Sequence, residues 1–324
     1  MRNFPSFSPL AALFFVCTQA HADPRYASIF EDSFAAAIIL TDSDALTLGI
    51  KDFDPNDWLN IDNDNIGSQD ALDLRKSIGV STLPFTFELE GNDIMKQRAI
   101  LRFSALRAEG DVVDIPNQPT DLHKETILGV FTGYEQNIEF SQHWSFETGV
   151  GVHLQYYVSD YDFNSNVSQE YLKPVIDGQL VNTDAWAATV QPKVGFVYSA
   201  LRNWGHVKYN STFNYFSGVG WGKANNGDVG TPEGWYWSNE AKFFYDVTDW
   251  GRSVQTLYSS IRRVDVGGDT VGTIGAQYYY EGTVGWLMTP PFKIQFVDNI
   301  GVGFSINYGS ALKGGSLVLF FNQD

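Results

Sequence analysis

Along most of this chain apolar and polar residues alternate with a period of two. The tail shows it most plainly. Asp298, Ile300, Val302, Phe304, Ile306 and Tyr308 fall on one face, and Val297, Asn299, Gly301, Gly303, Ser305, Asn307 and Gly309 on the other. After a turn at 310–311, Leu317, Leu319 and Phe321 share a face. Alternation of this kind belongs to β-strands, not helices. Three earlier segments repeat it. Trp144, Phe146, Val150, Val152, Leu154 and Tyr156 form one apolar stripe. Trp186, Ala188, Val190, Pro192, Val194, Phe196 and Tyr198 form a second, and Tyr278, Tyr280, Val284, Trp286 and Met288 a third. The opposite faces carry Gly, Ser, Thr, Gln and a few charges.

Strand-like segments are expected near 72–83, 94–107, 125–138, 143–158, 184–199, 205–218, 235–247, 253–264, 276–289, 297–308 and 312–321. The Ala-rich run Ser33–Leu40 fits either a first strand or a short helix; read as a strand (33–41), it brings the number to about twelve. Segments of roughly 10–16 residues exceed ordinary globular strands and match the tilted strands that cross a membrane. Aromatic residues gather at the strand ends, as they do at the two lipid–water interfaces of an outer-membrane barrel. Long connections near 42–71, 108–124, 159–183, 219–234 and 265–275 alternate with short ones near 139–142, 200–204, 248–252 and 290–296. The turn near 84–93 is intermediate, and the turn at 309–311 is short for its place in the alternation. The fold expected is all-β: a transmembrane, antiparallel, up-and-down barrel with short periplasmic turns, long extracellular loops and both termini on the periplasmic side. A soluble sandwich or a propeller is the alternative, but no internal repeat supports a propeller.

Composition adds an export route. Arg2, the apolar run Leu10–Val16 and the small-x-small triplet Ala20-His21-Ala22 read as a signal peptide. Residues 1–22 are expected to be removed, leaving one barrel domain, 23–324. The chain's single cysteine, Cys17, lies in that signal, so no disulfide or cysteine-based site is expected. Mean hydropathy is only −0.18, which a barrel tolerates because every second strand residue can be polar. A net charge of −17 argues against nucleic acid as a partner.

The charges on inward strand positions are the candidate functional set. Lys96, Arg98 and Arg102 share one face; Glu147 and His153 share another; Lys193, Lys208, Glu240, Lys242, Asp246 and Glu281 come from later strands. These are expected to line the lumen, either as a structural network or as the wall of a small hydrated pore. Glu147 and His153 are six positions apart on one strand, roughly 20 Å, too far to touch. Signatures of enzyme chemistry are missing. There is no HExxH and no G-x-S-x-G, and no cofactor or metal is expected. In the acidic stretch 52–70, Asp62, Asp64 and Gly67 match part of a calcium loop, but Ile66 takes a ligand position, so a solvated surface loop is the expectation.

Three features, Thr41–Asp44 leading into Lys51–Pro55, the segment Val80–Glu88 (VSTLPFTFE), and the twelve-strand plan, resemble the solitary outer-membrane autotransporter-type β-barrel family of Gram-negative bacteria. The resemblance implies location in the cell outer membrane, contact with its lipid and lipopolysaccharide, and insertion by the barrel-assembly machinery through the Gly315–Phe321 run. That run is followed here by Asn322, Gln323 and Asp324. No passenger domain is expected. The functional expectation is a non-enzymatic barrel acting as a small channel or a surface structural protein. The alternatives are an outer-membrane lipid hydrolase and an adhesin or receptor acting through its long loops.

Overall fold

The computed structural model describes residues 22–323 except 48, 93, 114–117 and 294–296. The expected signal, with Cys17 and His21, falls outside the described residues apart from Ala22. Twelve strands form one antiparallel sheet: β1 (Lys51–Phe53), β2 (Ile78–Leu89), β3 (Met95–Val113), β4 (Asp121–Glu139), β5 (Trp144–Asp162), β6 (Thr183–Arg202), β7 (Gly205–Gly222), β8 (Glu233–Trp250), β9 (Ser253–Gly268), β10 (Tyr278–Met288), β11 (Ile300–Tyr308) and β12 (Gly314–Phe321). From β2 to β12 each strand pairs with its sequence neighbour, the up-and-down plan of an outer-membrane barrel, and β1 adds to the free edge of β12. No helix among the described residues is long and apolar enough to cross a membrane.

The register places the expected faces. Val150, Val190, Val284 and Val302 point outward and are 50%, 51%, 56% and 48% exposed. Such a continuous apolar surface is a liability in water and the right surface for lipid. Aromatic pairs mark its two rims. Tyr156 lies 4.6 Å from Trp186 and Tyr280 lies 6.3 Å from Tyr308 toward the long-connection end. Trp144 meets Tyr198 at 5.1 Å and Trp204 meets Tyr245 at 6.2 Å toward the other.

The largest departure from the sequence reading is at the start. The segment read as a first strand belongs to a helix, α1 (Pro24–Leu40). Pro24 suits a first helical turn, the Asp23 side chain accepts from the Arg25 amide at 2.9 Å, and Thr41 Oγ1 donates back to the Ala37 carbonyl at 2.6 Å. The run Phe34–Leu40 holds no polar residue, so the helix needs apolar surroundings on every side. The inside of the barrel supplies them. Phe30, Phe34, Ile38, Ile39 and Leu40 are between 0% and 4% exposed. The Phe30 and Phe34 rings sit 5.4 Å and 6.1 Å from Tyr157 of β5, and Gln155 Nε2 donates to the Phe34 carbonyl at 3.1 Å.

Three further expectations change with it. The stretch 42–71, read as one outer loop, is divided: 42–47 runs inside the barrel, and β1 takes the twelfth strand's place in the count. Then come two short helices, α2 (Pro55–Leu59) and α3 (Gln69–Ser77), the latter occupying the start of the expected strand 72–83. The termini also part company. The Asp23 amide donates to Asn225 Oδ1 at 2.7 Å and Glu31 Oε1 accepts from the Thr231 amide at 2.6 Å, both in the long connection 223–232. The described chain therefore begins at the long-connection end, while β12 ends at the short-turn end. The sequence had placed both at the short-turn end because strand parity cannot register a helix threaded through the lumen.

The sheet has a seam. Among the described residues no ladder joins β2 to β1 or β12. Helix α3 spans the upper part of it, touching β1, β2 and β3. Its buried Arg75 donates to Asp52 Oδ1 at 3.0 and 2.8 Å and to the Leu312 carbonyl at 2.6 Å, and also bonds Ser316. One guanidinium thus ties β1, β12 and the last turn together.

Truncating the plug helix is expected to be costly. Phe34→Ala leaves a cavity against Tyr157 and should lower barrel stability by about 3–5 kcal/mol, measured by urea unfolding in lipid vesicles.

Candidate functional site

The inward residues form three layers. Uppermost is the apolar seat of α1, built with Tyr157, Tyr236, Val264, Val266, Tyr279 and Leu312. Lowest, toward the short turns, is an aromatic cluster of Phe244, Tyr258, Leu287, Val318 and Phe320. Phe244 and Phe320 lie 5.1 and 5.2 Å from Tyr258. This layer explains the small residues on the inner face of β10 and β11. A Cβ on Gly285 or Gly303 would approach the Phe320 ring to 2.3 or 2.7 Å, closer than side chains pack. The glycines are spaces for that ring.

Between these layers lies a band of charge, and most of the predicted lumen residues are in it. Arg98 donates to Glu135 at 2.6 Å and to Glu147 at 2.6 Å. Lys193 faces Glu135 at 3.0 Å, Glu147 at 3.5 Å and Asp44 at 3.6 Å. Arg102 lies 3.4 Å from Asp42 and over the Phe131 ring at 4.9 Å. On the opposite wall Arg262 bonds Glu240 at 3.0 Å and lies 3.5 Å from Glu281. Glu281 also accepts from the Thr47 amide at 2.9 Å. Lys242 stands 4.0 Å from Glu240 and opposite Lys208 in register. Lys96 is apart from the band, at the exposed short-turn end, paired with Glu139 at 2.9 Å. His153 is buried but not beside Glu147: it meets Gln191 Oε1 at 2.6 Å and packs on Phe131 at 4.5 Å.

The sequence reading omitted four members of this band: Glu135, Arg262, Asp42 and Asp44. Glu135 and Arg262 sit on inward positions of β4 and β9, and the alternation of their strands is the signal that identifies them. Asp42 and Asp44 carry no such signal. Asp42 holds Arg102 and accepts from Tyr236 Oη at 2.8 Å, and Asp44 faces Lys193. Both belong to the turn after α1, so the plug ends in carboxylates aimed at the wall cations. Tyr279 Oη adds a bond to the Ala45 carbonyl at 2.7 Å. A cavity of about 220 Å³ remains beside this turn, lined by Asp42, Asp44, Arg98, Arg102, Lys193 and Asn214 among others.

Two serine–histidine pairs occur among the described residues. His123 Nε2 lies 3.0 Å from Ser159 Oγ and 3.7 Å from Glu125. One ring nitrogen faces both partners, whereas a relay needs the base to use its two nitrogens on different groups. His206 Nε2 lies 2.8 Å from Ser199 Oγ at the short-turn end, stacked on Phe244 at 5.7 Å. Among the described residues no group of three or more His, Cys, Asp or Glu side chains is placed to hold a metal ion.

Two measurements probe how the plug is held. Lys193→Met removes the cation shared by Asp44, Glu135 and Glu147 and should cost about 3–5 kcal/mol, because it leaves Arg98 as the one cation facing the two buried carboxylates Glu135 and Glu147; adding Glu147→Gln should recover part of the loss in a double-mutant cycle. The second concerns the upper rim, where α1 packs on α4 (Thr270–Ile274). Burial, then the charges of Asp269 and Glu31, hold the Asp32 carboxyl above its usual range. A raised carboxyl stabilises the folded form fully below the ordinary carboxylate value, and that share is lost as pH rises through the raised one. Amides of the first turns of α1 should exchange more slowly near pH 4, close to the ordinary carboxylate value, than at pH 7.5 after correction for intrinsic rates, and Asp32→Asn should preserve the protection at the higher pH.

Comparison with known proteins gives the chain its place. No curated protein matches the sequence. Among solved structures, LpxR from Salmonella typhimurium aligns over 74% of this chain and 86% of its own, with a TM-score of 0.36 and 8% identity. A model of the solitary outer membrane autotransporter beta-barrel domain matches residues 31–323, covering the end of the plug and every strand. With twelve up-and-down strands, a lipid-facing apolar band and that match, the chain belongs to the solitary outer-membrane autotransporter β-barrel domain family and resides in the outer membrane.

Proposed function

We propose that this protein is a self-plugged, non-conducting barrel that works as a structural element of the cell surface, neither turning over a substrate nor passing solutes. The observation that carries this reading is α1 seated in the lumen. Fully burying each of Phe30, Phe34, Ile38, Ile39 and Leu40 contributes about 1.5–3 kcal/mol, so the apolar seat amounts to roughly 10 kcal/mol before ordering costs. Every 1.4 kcal/mol is a factor of ten, so a plug held this way does not come and go thermally. The ion pairs of Asp42 and Asp44 fix the position of its lower end. Below them the buried cluster of Phe244, Tyr258, Leu287, Val318 and Phe320 fills the lumen toward the short turns.

Orientation follows from the loops. Long connections of such barrels lie outside the cell, and the start of α1 is bonded to one of them. The segment around Asp23 is therefore held at the outer surface, and the solute path is closed from that side.

Planar-bilayer recording of the purified barrel, its folding verified by heat-modifiable mobility, is expected to give no stable conductance; a steady, ion-selective current from the wild type would overturn the reading. Labelling of intact cells with an impermeant maleimide, on a Cys17→Ser background, should modify Arg25→Cys and spare Gln323→Cys. The opposite pattern would reverse the orientation.

A further inference from the structure

The connection from β1 to β2 does not stand clear of the barrel. Asp54 caps α2, accepting from the Asn56 amide at 2.9 Å, and this short helix folds back over the outer wall. There Trp58 stacks on Phe53 with centroids 4.3 Å apart and planes 19° apart, and meets Phe304 edge-on at 5.4 Å. Phe304 is an outward residue of β11, between Val302 and Ile306 and a full turn of the pleat below the Tyr308 rim. Trp58 thus reaches into the apolar band and not merely to its edge. The rest of its surface is open: Trp58 is 62% exposed, Leu59 58% and Ile61 46%. Between Leu59 and Ile61, Asn60 adopts a left-handed conformation (φ 50°) and turns the chain back. An exposed acidic run, Asp62 and Asp64, follows.

We propose that α2 and Ile61 form a lipid-binding element, with Trp58, Leu59 and Ile61 lying in the outer leaflet beside the seam. Three features single out lipid as the occupant. The patch is continuous with the band that already faces acyl chains, through the Phe53–Trp58–Phe304 contacts. Tryptophan has an apolar body and a polar N–H, the combination favoured where hydrocarbon meets headgroups. Asp62 and Asp64 lie on the far side of the Asn60 turn, and α2's own Asp57 stands in the exposed first turn of the helix, at headgroup level when Trp58, Leu59 and Ile61 enter the hydrocarbon. The element also sits on β1, the edge strand of the seam. Lipid held there would cover the part of the wall where the ladder stops.

The test uses Leu59→Cys on the Cys17→Ser background, carrying a small fluorophore, in phosphatidylcholine–phosphatidylglycerol vesicles, with Asp70→Cys as the aqueous reference. A phospholipid spin-labelled high on its acyl chain should quench the probe at position 59 several-fold more than the probe at position 70, and iodide should do the reverse. Iodide quenching at position 59 equal to that at position 70 would place the element in water and overturn the proposal. Protection from both quenchers would point to a protein occupant, such as a second copy of this chain, and would overturn it as well. If the labelled Leu59→Cys barrel does not fold, Trp58→Phe gives an independent reading: the share of native tryptophan emission quenched by brominated lipid should fall, and an unchanged share would overturn the proposal.

Discussion

In hydrocarbon no water is available to satisfy a backbone amide or carbonyl, and this constraint governs the whole molecule. It requires strands long enough to cross and a ladder that passes from each strand to the next, which β2 to β12 provide. It makes the seam the sensitive place. There the buried Arg75 bonds Asp52, Leu312 and Ser316. β1, though only three residues long, covers part of the β12 edge that would otherwise be bare.

Closing such a sheet creates an interior that must be filled, since close packing leaves little room for voids. The protein fills it by layers. An apolar helix occupies the upper lumen, paired charges the middle, and aromatic rings over glycine spaces the bottom. The charged layer is polar where the helix ends, because the turn at 41–47 exposes backbone groups and carboxylates that need partners. Thr47, Asp42 and Asp44 find them on Glu281, Arg102, Tyr236 and Lys193. The network is thus the solution to ending a helix inside a barrel.

Most of the barrel was legible in the sequence because period-two alternation is a local property. The tail's two faces and the stripes at Trp144–Tyr156 and Trp186–Tyr198 needed only side-chain character read along one strand. The inward parity of Arg98, Glu147, Lys193 and Glu281 followed from the same rule. What stayed hidden is what depends on distant pairing. Phe34–Leu40 looks the same whether it will be a buried strand or a helix ringed by barrel wall, since an apolar run carries no period. Asp42 and Asp44 looked like surface acids because loops usually are solvated; only the positions of Arg102 and Lys193, strands away, draw them inward. Trp58 gave no sign of turning back onto the wall, because its partner Phe304 lies near the other end of the chain.

The contact between β1 and β12 also dictates an order of events. The residues that begin the sheet, Lys51–Phe53, find their pairing partners at Gly315–Leu317, with Asp52 and Ser316 264 positions apart. Until those arrive, α1 has no enclosing wall and its run Phe34–Leu40 has nothing to pack against. The chain must therefore be kept unfolded and shielded from aggregation until that distant segment has been made. Plug insertion and barrel closure then become a single late cooperative step, slow because its contacts join the two ends of the chain.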